Sequence, residues 1–272
     1  MATITPPLTS RSSAEPGKGL CLFFYDARSE YYPGGIGNAL GYTMYTGDMA
    51  FHAATSGTSN GIPRAYVGIG FDVRGNFGNT INGKPGSNIL GTDNQAITSC
   101  NYTTKAPNTI TTRGGEAQSY KVISTTPNLS SYPLSGSPDE TYGEPNLMYD
   151  KSPPVTLHQS VTSTNDLVYN RIKVTLQNEG SRVKVEIKDP ETGIYHPYQI
   201  LDLDYSLGET LNPYEGITTL RAGLAFTTSD STMNCDIKNV TVQGVYSDTE
   251  KVHTYLFPQS SPKYTMVLSS CP

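Results

Sequence analysis

Tryptophan is absent from this 272-residue chain, histidine occurs four times, and charged side chains make up only 16% of it. With a formal net charge of −5, such a composition excludes a disordered polyelectrolyte, and no run of Lys and Arg marks an electrostatic nucleic-acid surface. No nucleic-acid partner is therefore expected. No stretch approaches the ~18 consecutive apolar residues of a membrane span, so no membrane insertion is expected either. Residues 1–19 hold only scattered apolar side chains and lack a signal-peptide core. That pattern fits a protein used without the secretory route, or one whose leader lies outside this sequence. Cys21, Cys100, Cys235 and Cys271 stand far apart without a CxxC pair. This argues against zinc, and at this size no disulfide framework is implied. Cys21 and Cys235 sit in apolar runs and read as small core residues.

What is abundant are chain breakers: 26 Gly and 19 Pro, a density that long helices do not survive. The hydrophobic period is that of strands. In residues 171–189, Ile172, Val174 and Leu176 alternate with polar residues, and Val183, Val185 and Ile187 do so after an Asn178-Glu179-Gly180 turn. These are the marks of an antiparallel hairpin. A second turn at residues 189–193 leads into a strand over 194–203, extending the hairpin to a meander. Leu220, Ala222, Leu224 and Phe226 alternate again, and a further strand begins at Cys235 with a phase slip before Val240 that predicts a bulge. Residues 20–25 and 66–73 are nearly continuous apolar runs, as central strands buried on both faces are. Many short strands separated by turns predict an all-β protein, a β-sandwich or jelly roll.

The expected organisation is an extended Pro- and Ser-rich arm over residues 1–18, a body over 19–246, and a C-terminal arm or added strand over 247–272. Within the body, residues 124–157 are rich in Pro, Ser, Gly and Tyr and read as a long surface loop. So short an N-terminal segment leaves the sandwich lacking an edge strand. Residues 264–268, or a strand from a neighbouring subunit, are expected to complete it by β-addition, because an open apolar edge invites aggregation.

Several motifs in order resemble the L-type, legume-like lectins with a concanavalin A-like domain, in their bacterial and phage branch. Gly19-Leu20-Cys21-Leu22-Phe23-Phe24-Tyr25-Asp26 resembles their GLAFFL strand, and residues 34–41, GGIGNALG, their GG-x-LGL loop. Residues 66–77, YVGIGFDVRGNF, resemble their metal-binding strand in its GxGxD-x-x-GNF form. Residues 107–114, PNTITTRG, stand where the next strand belongs, and residues 201–211 and 220–230 match the late VDL and VGFSAATG segments in order. The resemblance spans residues 19–245. It implies two large antiparallel sheets, one flat and one curved, with glycans met by loops at the concave end.

The family's site residues carry over incompletely. Its metal strand supplies Glu, Asp, a backbone carbonyl and Asn, which fall here on Gly70, Asp72, Arg74 and Asn76. The Glu is missing, and Ile81 stands where a second Asp belongs. Asp72 and Asn76, helped by Asn79 and Asn82, are the candidate calcium ligands; otherwise Asp72 caps the following loop through its backbone. The family's sugar-gripping Asp falls on Lys18, which offers three donors and no acceptor and suits an acidic glycan if it is not plain surface. Gly34 or Gly35 is expected to donate a backbone N–H, Asn76 its amide, and Asp230 closes the candidate carbohydrate set.

Tyr25, Tyr31, Tyr32 and Tyr42 flank the first two loops, and Tyr132, Tyr142 and Tyr149 lie in the long one. Each is either a stacking platform for sugars or protein partners or a half-buried strand residue. No catalysis is expected. The E-x-D-x-E strand of sandwich glycosidases is absent. Glu186, Asp189 and Glu191 straddle a hairpin turn, and Asp202 and Asp204 alternate on a short strand without a third acid. His52, His158, His196 and His253 form no HExxH, and no GxSxG elbow occurs. The expectation is a non-enzymatic lectin-like structural protein on the surface of a virus or phage particle. Its partners would be a host surface glycan and neighbouring virion proteins or identical subunits. The alternatives are a secreted or cell-surface lectin or adhesin, for which Asn101, Asn128 and Asn239 head glycosylation sequons, and a purely architectural assembly protein with a degenerate sugar site.

Overall fold

The computed structural model describes residues 2–5, 8–10, 18–46, 58–79, 106–131, 152–160, 169–177, 182–203, 219–227, 234–235, 238–245 and 252–256. Its longer elements are all strands. In chain order they are β1 (Ala2–Thr5), β2 (Leu8–Ser10), β3 (Gly19–Asp26), β4 (Tyr45–Thr46), β5 (Thr58–Ser59), β6 (Ala65–Asp72), β7 (Thr109–Gly114) and β8 (Val122–Thr125). There follow β9 (His158–Ser160), β10 (Arg171–Gln177), β11 (Arg182–Lys188), β12 (Tyr195–Asp202), β13 (Leu220–Thr227), β14 (Asn234–Cys235), β15 (Lys238–Val245) and β16 (Val252–Leu256). A five-stranded sheet runs β13-β3-β6-β7-β8 and a six-stranded sheet β12-β11-β10-β1-β15-β16. All pairings within these two are antiparallel. Small sheets β14-β2-β9 and β4-β5 complete the described set.

The two large sheets are held face to face by one core. Leu20, Leu22, Phe24, Val67, Ile69, Phe71 and Ile110 from the first pack with Ile172, Val174, Val183, Val185, Ile187 and Tyr198 from the second. The alternation read in β10 and β11 thus builds the inner face of the six-stranded sheet. A polar contact crosses the core as well: Thr112 Oγ1 in β7 donates to Gln199 Oε1 in β12 at 2.6 Å. β3 and β6 are buried along their whole length, as continuous apolar runs predict. Their second face packs a separate aromatic layer of Cys21, Phe23, Tyr25, Tyr42, Phe77 and Tyr120 under the flanking loops. Cys21 there is a free, fully buried thiol whose pKa burial pushes up.

Two expectations need correction, the free N-terminal arm and the superficial loop, while the C-terminal segment does supply an added strand. Residues 2–5 belong to no free arm: β1 lies inside the six-stranded sheet, pairing β10 on one side and β15 on the other. A four-residue strand among T and P residues has too short an alternation to be recognised from sequence. From the C-terminal segment, residues 252–256 form edge strand β16 on β15; residues 264–268, expected to fill that role, lie outside the described residues. The flanks of the long loop are anchored rather than superficial. Leu129 and Leu157 are buried in the main core, and Asn108 ties the flanks together. Its Nδ2 donates to Asn128 Oδ1, Ser130 Oγ and Val155 O, while its Oδ1 accepts from Leu157 N.

Candidate functional site

The candidate site gathers at one end of the five-stranded sheet. Register places Gly19 opposite Asp72 on one side and Thr227 on the other. The Lys18 N–H donates to Thr227 O, and the Val73 N–H donates to Lys18 O. The Lys18 backbone therefore lies beside the end of β6, and Asn76 follows in the loop after Asp72. Asp230 lies outside the described residues.

The loop after β6 folds around the Asp72 carboxylate. Its Oδ1 accepts the Gly75 N–H at 2.7 Å and its Oδ2 the Phe77 N–H; the amides of Asn76 and Gly78 also turn toward it. Burial pushes the Asp72 pKa up to about 6 against the pull of these four donors. Gly75 makes the turn possible with φ +78, and a Cβ there would meet Ala106 and Pro107 backbone atoms at 2.1–2.3 Å. The other side of the loop is gripped by Arg113, fully buried in β7. Its Nε and Nη2 donate to Phe77 O at 2.9 and 2.7 Å, Nη2 also to Asn79 O, and its guanidinium lies 5.2 Å from the Phe77 ring centre.

This geometry does not fit a calcium ion. Cation ligands must be oxygens with lone pairs facing the metal, whereas both Asp72 oxygens already face N–H donors of their own loop. Asn76 is buried and its Oδ1 accepts the Asn79 amide at 3.2 Å. The family's Glu position cannot regain its carboxylate, because a Cβ on Gly70 would lie 2.2 Å from Phe77 Cδ1. The Phe77 ring fills that space. Asn82 lies outside the described residues. The loop-capping alternative for Asp72 is what these hydrogen bonds build.

The other candidate groups are likewise turned inward. The Gly34 N–H donates to Gly41 O and the Gly35 N–H to Thr43 O, both at 2.8 Å, so neither faces a ligand. This loop is also pinned to β13, where Thr227 Oγ1 donates to Gly37 O. Gly41, at φ +71, approaches so closely that a Cβ would meet Ala225 Cβ at 2.6 Å. Lys18 is only 8% exposed, which removes the solvated cation proposed for an acidic sugar. Of the four tyrosines near these loops, Tyr25 and Tyr42 are buried and Tyr31 stacks on Phe23 at 6.0 Å, where burial raises its pKa to about 12. Tyr32 is exposed and donates to Glu30 Oε2. Tyr132, Tyr142 and Tyr149 lie outside the described residues.

Of the acids weighed for catalysis, Glu186 and Asp189 have structural partners, and Asp204 lies outside the described residues. Glu186 bridges Lys173 and Lys184 at 2.5 and 2.9 Å. Asp189 closes its turn by accepting from Glu191 N and Thr192 Oγ1. Sequence reading missed Arg113, although an arginine in an otherwise Thr- and Ile-rich strand was a usable signal. It also missed Asp26 at the far end of β3. That side chain is fully buried and takes hydrogen bonds from Arg28 Nε and Nη2 and Arg64 Nε. Those bonds, Arg28's first, hold its carboxyl well below the usual carboxylate range. Neither a protein-family model nor a curated protein matches the chain.

Proposed function

We propose that this chain is a non-enzymatic, lectin-like structural protein of a virus or phage particle, displayed at its surface, in which a concanavalin A-like jelly roll is kept as architecture. The observation that carries this reading is that Asp72, Asn76, Gly34 and Gly35, from the expected sugar and metal set, have hydrogen bonds directed inward. A pocket that binds neutral sugars presents unpaired donors and acceptors to solvent; here Asp72, Gly34, Gly35 and Asn76 bond within the chain. The ordered resemblance over residues 19–245 supports the fold family. Contact with host glycans is then made by surfaces other than the legume-type pocket.

The test is sedimentation velocity of the full chain over a concentration series, alongside an array of neutral glycans read in calcium and again in chelator. Higher-order species with a silent neutral array are expected. A monomer that binds a neutral glycan only in calcium would replace this reading with that of a secreted or cell-surface lectin.

A further inference from the structure

We infer that the outer face of the six-stranded sheet, along β10 and β11, is a docking surface for an acidic polysaccharide. Strand alternation that buries Ile172, Val174, Val183, Val185 and Ile187 in the core must send the intervening residues outward. The cations among them are Arg171, Lys173, Arg182, Lys184 and Lys188. No run of basic residues appears in the sequence, because every second position is apolar; the sheet assembles the patch by putting two strands side by side. A composition scan for basic runs is blind to such a face.

The pairing register fixes the arrangement. Arg171 stands opposite Lys188, Lys173 opposite Glu186, Thr175 opposite Lys184, and Gln177 opposite Arg182. Neighbouring positions are ~4.8 Å apart across strands and ~6.8 Å apart along them, so the cations form a lattice about 20 Å long. Against five cations stand Glu186 and, at the register position opposite Arg182, Asp202. Glu186 sits between Lys173 and Lys184 and fixes their ammonium groups, while these stay 20% and 28% exposed. Lys173 and Lys188 lie 4.9 and 5.9 Å from the Tyr195 ring centre, which holds both cations on this face. In a chain of net charge −5, this local excess attracts polyanions only at close range, within a Debye length of about 8–10 Å.

The neutral positions decide which polyanion. Thr175 and Gln177 share the face. Hydroxyl and amide groups both donate and accept hydrogen bonds, matching sugar hydroxyls interspersed with carboxylates or sulfates. Phosphodiester oxygens only accept. Single-stranded nucleic acid also wants open aromatic rings for base stacking, and the Tyr195 ring is attended by two ammonium groups.

The experiment uses the full chain and alginate, a polyuronate, at low and physiological salt, with neutral dextran and duplex DNA as comparison probes. Wild type is expected to bind alginate in a salt-sensitive way and to ignore dextran. Arg171→Gln with Lys188→Gln removes two charges without touching the Glu186 pair and is expected to weaken binding by about tenfold. Arg221→Gln with Lys121→Gln, two charges removed from the other sheet side, is expected to leave it unchanged; circular dichroism checks that both variants fold. Failure of wild type to bind alginate, or equal loss in both variants, would overturn the assignment. Tighter binding to duplex DNA than to alginate would overturn it in favour of a nucleic-acid surface. Neither outcome depends on the assembly state or on the neutral-glycan array that test the structural role.

Discussion

Asp72 shows how a residue that resembles a metal ligand can be a fold determinant. Burial without a counter-charge raises its pKa to about 6, above the ~3.9 of an unfolded chain. The stability it contributes is then fully present below about pH 4 and lost as pH rises through about 6, a change of about 3 kcal/mol. Asp72→Asn cannot titrate. The stability gap between wild type and this variant should therefore narrow between about pH 4 and 7 in urea unfolding series. A gap that widens with rising pH would mean that the loop amides outweigh burial. Gly70 tells the complementary story. Gly70→Ala places a Cβ 2.2 Å from Phe77 Cδ1 and should cost about 1–3 kcal/mol by overpacking, measured as a lowered urea midpoint. Glycine at this position follows from the ring beside it.

At the scale of elements, most strands were legible where alternation ran long enough. The hairpin β10–β11 appears over the expected residues, and β3, β6, β7 and β13 fall within a residue or two of their motifs. β1 was not legible, since Ala2, Thr3 and Ile4 carry no period without the partners on either side. Its placement makes a sharp prediction. Thr3 pairs with Lys173 and Thr241 at once, so Thr3→Pro removes a ladder donor from a central strand. The variant should lose about 3 kcal/mol or more in chemical unfolding, whereas a free arm would tolerate it. The candidate site was legible in position and not in state. Motif order set the Lys18 backbone beside the end of β6 and Asn76 in the loop after Asp72, yet nothing in the sequence revealed how the loop's own amides, Arg113 and Phe77 would close this end. Hydrogen-bond partners distant in sequence, such as Arg113 for the Phe77 carbonyl, have no local signature.

For the whole molecule, the two large sheets share a core and a buried polar link. Gln199 Oε1 accepts from Thr112, while Gln199 Nε2 is buried with no hydrogen-bond partner among the described residues. Thr112→Val would leave Gln199 Oε1 without its hydrogen-bond donor. It should destabilise the sandwich by about 1–3 kcal/mol in urea unfolding, more than the near-isosteric exchange costs at an exposed strand position. The opposite ends and faces of the sandwich then divide its tasks. The Asp72 end is closed by internal bonds, the aromatic layer is covered by loops, and the charged outer face of β10 and β11 is turned outward. The amides of the loop after β6 take up the Asp72 carboxylate that was expected to hold a metal. The most direct test is a calorimetric titration of calcium into the chelator-treated full chain. The prediction is no binding heat and an unchanged melting temperature; stoichiometric binding that disappears in Asp72→Asn would contradict it.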